Sequence, residues 1–307
     1  MGVINTGSFA KALFPGVNTW YGDTYKQFET EYNQIFDNVN STKAYEEYVG
    51  FSGFGLAQKK PEGSSIAYDS AQQGFITRLT NVAYALGFVI TKEMYDDDQY
   101  GIIGKRRANA LAFSMRQTVE NVCANVLNRA FNSSYTGGDG VSLINASHPN
   151  KAGGTWSNQI GVASDLSEAA LEQACIDIAG FTNDRGLKIS VMPRKLIISK
   201  EQMFDAQRIL KSIQQSGNNN NDINALRAMN MFPEGIAVNH YLTSPTTWFV
   251  KTNCGQAAGE GLIYQERQAA SFSVSDDSDT MNAKYMSYMR FSAGWSDPRS
   301  LYGSAGP

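Results

Sequence analysis

The sequence has only two histidines, three cysteines and eight prolines in 307 residues, and each shortage excludes something. A structural zinc centre takes about four Cys or His ligands in close pairs, and neither a C-x-x-C nor an H-x-x-x-H spacing occurs. Cys123, Cys175 and Cys254 are an odd number, widely separated and set in apolar or strand-like surroundings. They are expected to be reduced thiols of a cytoplasmic protein, without a disulfide framework. A membrane-spanning helix needs about 18 consecutive apolar residues, and no such run is present. Met1–Gly16 has no charged start followed by an apolar stretch and does not read as a signal peptide. Charge is sparse as well: 26 basic residues against 29 acidic give a net charge of -3. That balance offers no general attraction to DNA or to anionic membranes.

What is present is a chain long enough for one large or two ordinary domains, 42% hydrophobic and 11% aromatic. Residues 1–45 are rich in Asn, Thr, Tyr and Phe without sustained periodicity. Phe9, Leu13, Phe14 and Trp20 have no core of their own there, so this arm packs on its own domain or lies across a neighbour. From Tyr48 to Ile76, glycines and alternating residues flank the polar turn Lys59–Gly63, which predicts a two-stranded excursion. Such a hairpin alone is marginal in water and must rest on something else. Asn81–Thr91 reads as a buried strand, with Val82, Tyr84, Leu86, Phe88 and Ile90 in one register.

The clearest helix spans Gly101–Phe131, with Asp96, Asp97 and Asp98 placing negative charge near its start. Ala108, Leu111, Met115, Val119, Val122, Val126 and Ala130 recur at spacings of 3, 4, 4, 3, 4 and 4, a single apolar stripe. Arg106, Arg107, Arg116 and Glu120 take other faces, so truncating Leu111 should cost stability and truncating Arg116 little. Residues 133–160 read as a loop, and Asp165–Glu168 as a capping box opening a helix with Leu171, Cys175 and Ile178 on one face. Pro193–Ser199 is expected as a buried strand and Glu201–Leu210 as a helix, ended by the polar run Gly217–Asp222. Strand-like pieces follow at 236–239, 247–252 and 262–275, and Met281–Ala293 is a final strand. The fold class is α+β.

Searching for chemistry yields little. His148 (in Ser-His-Pro-Asn) and His240 (in Asn-His-Tyr) lack a G-x-S-x-G elbow to supply a nucleophile, and both read as structural or surface-polar residues. Asp276-Asp277-Ser278-Asp279 lacks the glycine and distal glutamate of a calcium loop and reads as a solvated turn. Gly137–Gly140 precedes no Lys-Ser/Thr and is no phosphate cradle. No catalytic, cofactor-binding or metal-ligating residue is expected.

The order of parts is arm, glycine-rich excursion, strand, long helix, loop, and a smaller α/β section with a returning strand. In this order the chain resembles the tailed-bacteriophage major capsid proteins, which have the Hong Kong ninety-seven-type capsid fold. Several stretches are similar in wording to Mu-like phage head proteins: INTGSFAKALFPGVNTWYG, GFGLAQKKPEGSSIAYDSAQQGFITR, GKRRANALAFSMRQT, GGDGVSLINASHPNKAGGTWSN and RFSAGWSDPRSLYGS. The resemblance implies an N-terminal arm at 1–45, an extension loop at 46–80, and a peripheral domain with the spine helix at 81–165. An axial domain would follow at 166–265 and a return to the peripheral domain at 266–307. It implies hexamers and pentamers in a virion shell assembled in the host cytoplasm, with a separate scaffolding protein, a portal and decoration proteins as partners. It implies non-specific contact with packaged double-stranded DNA, no membrane and no cofactor. Some relatives lock their shells through a Lys–Asn isopeptide bond. Lys59 and Lys60 lie at the matching tip without the surrounding motif, and simple ion pairing is the expectation. The rivals are an encapsulin-type nanocompartment shell enclosing protein cargo and a hydrolase using His148.

Overall fold

Two four-stranded sheets are joined through one long helix in the computed structural model, which describes residues 18–93, 100–215, 222–254, 260–277, 280 and 282–307. The helix (α2, Tyr100–Asn128, after a short α1 at 18–27) is the expected spine, about 43 Å long at ~1.5 Å per residue. Asp96–Asp98 lie outside the described residues. Ala108, Leu111, Met115 and Val119 are buried as expected. Beyond them Ala130 is buried as expected, but the apolar positions buried between are Cys123, Ala124 and Leu127, while Val122 and Val126 are only half-buried.

The shift has a cause. A step of four residues turns about 40° past a full revolution, so a run of fours winds the buried face around the helix. Near its start α2 lies by the first sheet, where Ala108 packs with Ile90 and Tyr285 and Arg107 Nη1 donates to the Val89 carbonyl. Near its end it meets the second sheet, where Leu127 lines a small cavity with Leu242 and Phe249 and Asn128 Nδ2 donates to the Tyr241 carbonyl. Leu111→Ala removes a side chain from the middle of this stripe. It should lower the stability of the free subunit by about 2–5 kcal/mol, read as a lower thermal midpoint.

The first sheet has the order β1 (Asp37–Asn40), β10 (Leu262–Asp276), β11 (Ala283–Trp295), β4 (Val82–Ile90). Ala283 to Phe291 pair antiparallel with Ile90 to Val82, so the final strand lies beside one far away in sequence. The sequence reading makes β4 a buried strand. It is an edge strand, with Val82, Leu86 and Val89 exposed and only Ile90 fully buried, because among the described residues β11 is its one strand neighbour.

After a short antiparallel pair, β5 (His148–Pro149) and β6 (Thr155–Trp156), the second sheet has the order β12 (Leu301–Ser304), β9 (Trp248–Thr252), β7 (Pro193–Ser199), β8 (Ile236–Asn239). Its middle strands are apolar runs because both faces are covered. Alternation sends Ile197 and Phe249 into the core around α2, and Leu196, Ile198, Trp248 and Val250 into a second core. The second core is closed by α3 (Glu168–Ala179), which buries Leu171, Cys175 and Ile178 as expected. The cap of α3 is Ser167, whose hydroxyl accepts from the Ala170 N–H at 3.2 Å, and not Asp165. The helix expected at 201–210 forms as α4 (Met203–Lys211) after a 3-10 turn, and most of the polar run after it lies outside the described residues.

Strand β12 has no counterpart in the sequence reading. Asp297 caps a 3-10 turn at Pro298–Ser300, the chain leaves the first sheet there, and Leu301 to Ser304 pair with Lys251 to Trp248. Leu301 and Tyr302 supply the reason, since both are buried, one in each core.

Candidate assembly surfaces

Two segments project from this body or strap onto it. The first is a hairpin of β2 (Tyr45–Ser52) and β3 (Gln72–Thr80), antiparallel from Tyr45↔Thr80 to Ser52↔Gln72. Its root is seated on its own chain. Tyr48 Oη donates to Gln265 Oε1 at 3.0 Å, Gln265 Nε2 donates to Asn81 Oδ1 at 2.9 Å, and the Leu79 side chain lies over Gly294. Gly138 completes the seat. A Cβ there would stand 2.4 Å from the Ile76 carbonyl oxygen, so the Gly137–Gly140 turn is glycine-rich to let the hairpin backbone approach.

Beyond Ser52 and Gln72 no further strand pairing continues between 53 and 71, apart from a turn in which Ser64 N–H donates to the Pro61 carbonyl at 3.2 Å. Phe54, Leu56, Ile66 and Tyr68 are exposed there, Leu56 to 79% and Tyr68 to 93%, next to the exposed Phe51 of β2. Lys59 and Lys60 are exposed at the tip. A contiguous stretch with this much open apolar area marks a contact surface.

The second segment is the arm. Its described part packs on its own chain, while Phe9, Leu13 and Phe14 lie outside the described residues. Residues 18–27 form a helix that the sequence reading does not anticipate, held by burial of Tyr21, which stacks on Phe272 and hydrogen-bonds Ser287 Oγ at 2.7 Å. A 3-10 turn, Tyr32–Gln34, follows, and Glu120 of the spine accepts the N–H groups of Glu31 and Tyr32 at 3.1 and 3.0 Å. Glu120 is thus 2% exposed and not on a solvent face. Burial raises its carboxyl above the ordinary range, against the pull of these two donors and of Arg116.

Arg116 is not a bystander either. Its guanidinium lies 5.2 Å from the Tyr25 ring centroid and 5.5 Å from that of Tyr32, so its truncation is expected to cost packing as well as charge. The arm then crosses to the second sheet. Glu31 accepts from the His240 backbone N–H at 2.9 Å and meets its Nδ1 at 2.6 Å, while Lys195 and Lys251 donate to the carbonyls of Gln34 and Ile35. The sequence read Arg116 and Glu120 as surface charges because the arm that covers them is remote in sequence.

The residues weighed for chemistry are engaged structurally. His148 is 1% exposed, stacked on Trp156, with Nδ1 2.6 Å from Asp139 Oδ2 and Nε2 3.0 Å from Asn158 Oδ1. The Asn158 amide donates to the carbonyls of Leu143, Pro298 and Leu301, which fixes its oxygen toward the ring. Both ring nitrogens are therefore occupied, and no hydroxyl is among their partners. A cleft of about 180 Å³ nearby is lined by Phe51, Phe75, Trp156, Asp184, Cys254 and Arg299. Of its carboxylates, Asp184 and Asp297 meet Arg299 at 2.8 and 3.5 Å, and Asp139 meets His148.

Cys123 and Cys175 are buried, Cys254 is half-buried, and all three are free thiols. Burial pushes Cys175 up to about 11 and Cys254 up to about 12, which keeps both as thiols at neutral pH. The acidic turn at 276–279 lies partly outside the described residues. Among the described residues no group of His, Cys, Asp and Glu side chains is placed to hold a metal ion, and no helix is long and apolar enough to cross a membrane.

The family described as phage capsid protein matches residues 77–304. A search of curated proteins finds no match. Among solved structures, the procapsid of bacteriophage JBD30 aligns with 99% of this chain and 77% of its own, at 14% identity and a TM-score of 0.55. A structure from Mycobacterium phage Cain aligns over 91% of each chain, at 12% identity and a TM-score of 0.54. The capsid of an empty GTA particle aligns over 90% of each chain, at 12% identity and 0.53. At such identities the structural likeness shows a common fold.

Proposed function

The chain belongs to the phage capsid protein family and is a major capsid protein of the phage head shell, with the Hong Kong ninety-seven-type fold, and from this premise we propose that the excursion and the arm join its copies into hexamers and pentamers. The observation that carries the proposal is the excursion itself: a rooted hairpin whose outer half leaves Phe54, Leu56, Ile66 and Tyr68 in solvent. Each such side chain gains about 1.5–3 kcal/mol when fully buried, and a second copy of the chain supplies the cover.

The domain division follows the same reading. Residues 1–45 are the arm, 46–80 the extension loop, 81–165 the peripheral domain with the spine, 166–265 the axial domain, and 266–307 the return, whose last strand β12 joins the second sheet. One sequence makes two ring sizes because the joining segments flex while the spine and sheets do not. A standard interface buries about 1,600 Å², and a subunit overlapping several neighbours buries a few times that. Contacts that are weak singly become effectively irreversible when repeated around a closed shell.

The shell encloses the double-stranded DNA genome without reading its sequence. A scaffolding protein, a portal and decoration proteins are its other partners. The subunit is not an enzyme: the family is structural, and the one buried histidine has both nitrogens engaged. The nanocompartment alternative is not favoured by a family of phage capsids.

Deleting Lys59–Ser65 should leave a folded subunit with an unchanged melt that assembles poorly. Electron microscopy and sedimentation measure the result. Normal shells from the deletion variant would overturn the assignment.

A further inference from the structure

Between Gly53 and Ala71, one residue from elsewhere in the chain makes hydrogen bonds to the excursion among the described residues, and it is Arg185. Its guanidinium meets Asp69 through both terminal nitrogens and donates from Nη2 to the Ser70 carbonyl at 2.7 Å. Asp69 Oδ2 also accepts the Gly55 N–H at 2.7 Å, which draws the two limbs of the excursion together at the same point.

The receiving side is built and stiff. Arg185 stands on a turn in which Asn183 Oδ1 accepts the N–H groups of Arg185 and Leu187, both at 3.0 Å, and Gly186 takes φ +78°. Its neighbour Asp184 is held by Arg299 at 2.8 Å. The excursion's side is not stiff, since its large apolar residues touch solvent and its limbs do not pair.

We propose that Arg185 is a catch, which parks the excursion on its own subunit before assembly and lets it go when a second copy covers Phe54, Leu56, Ile66 and Tyr68. The inference rests on the reading that the excursion joins copies, and it adds how that step is restrained. The strength of the contact suits a catch. The side chains of Asp69 and Arg185 are 45% and 23% exposed, and ion pairs so open to water contribute little and are screened by salt. Covering several exposed apolar side chains outweighs it.

The test is hydrogen exchange on the free subunit, held below its assembly concentration, together with the lag of assembly followed by light scattering. In Arg185→Ala the amides of 53–71 should exchange about fivefold faster, with those of α2 unchanged. Raising salt to about 1 M should speed the same amides in the natural chain and not in the variant. The lag of the variant should shorten about twofold, because no contact has to open first. Asp69→Asn should give the same changes and serves if Arg185→Ala does not fold. Unchanged exchange at 53–71, or an unchanged or longer lag, would overturn the catch. That failure is distinct from failure of the joining role, which only normal assembly of the Lys59–Ser65 deletion would bring about.

Discussion

Removal of residues 286–307 should abolish cooperative folding of the subunit, not only its assembly. The truncation takes most of β11, which stands between β10 and β4, so both strands lose most of their pairing with it. It also takes β12, which closes the edge of the second sheet. Met289, Phe291, Leu301 and Tyr302 are all at 2% exposure or less. At about 2–3 kcal/mol for each fully buried side chain, their loss approaches the 5–15 kcal/mol by which a domain is ordinarily stable. Circular dichroism and calorimetry of the purified truncated chain measure the outcome. A cooperative melt near that of the intact subunit would refute the expectation.

The second large effect is expected at Glu120. Replacing it with alanine strips the acceptor from the buried Tyr32 N–H and the half-buried Glu31 N–H, and removes the carboxylate that attracts the Arg116 guanidinium. Leaving a buried donor without its acceptor typically costs about 1–3 kcal/mol. Tyr32, Ile35 and Phe36 pack where the arm is held, so exchange of the amides of 31–37 should rise together with the drop in thermal midpoint.

The pH dependence has a definite sign. Because burial raises this carboxyl, the folded chain holds the proton more readily than the unfolded chain. The contribution of Glu120 is fully present below the ordinary carboxylate range and diminishes as pH rises through its raised value. Mild acid therefore does not release the arm through Glu120, and Glu120→Ala should remove this part of the pH profile. A variant that melts like the natural chain at every pH would show that the arm is held by other means.

The elements with their own periodicity were legible in the sequence. The 3–4 spacing from Ala108 to Val119 located the spine, the apolar runs Leu196–Ile198 and Trp248–Val250 the inner strands, and the apolar and aromatic residues of the last segment the strand β11. What stayed hidden depends on partners distant along the chain. The helix at 18–27 contains Thr, Trp, Tyr, Gly and Asp, which favour a helix weakly, and it holds because Tyr21 is buried against Phe272 and Ser287. Glu120 has the pattern of a surface residue until the arm lies over it. Glycines 137 and 138 look like an ordinary loop until the hairpin backbone is seen to rest on one of them. The excursion was legible as a projection with a polar tip, but not the arginine that meets it, since Arg185 is more than a hundred residues from Asp69 and belongs to no motif.

Strands β7 and β9 present alternate side chains to two different cores, and this has a mechanical consequence. No seam runs between the halves of the subunit. A load applied to one half pulls on Ile197 and Phe249, and through the same backbone on Leu196, Ile198, Trp248 and Val250 in the other. A load that a neighbouring copy places on either sheet is therefore shared by both cores, and the body of the subunit yields as one piece.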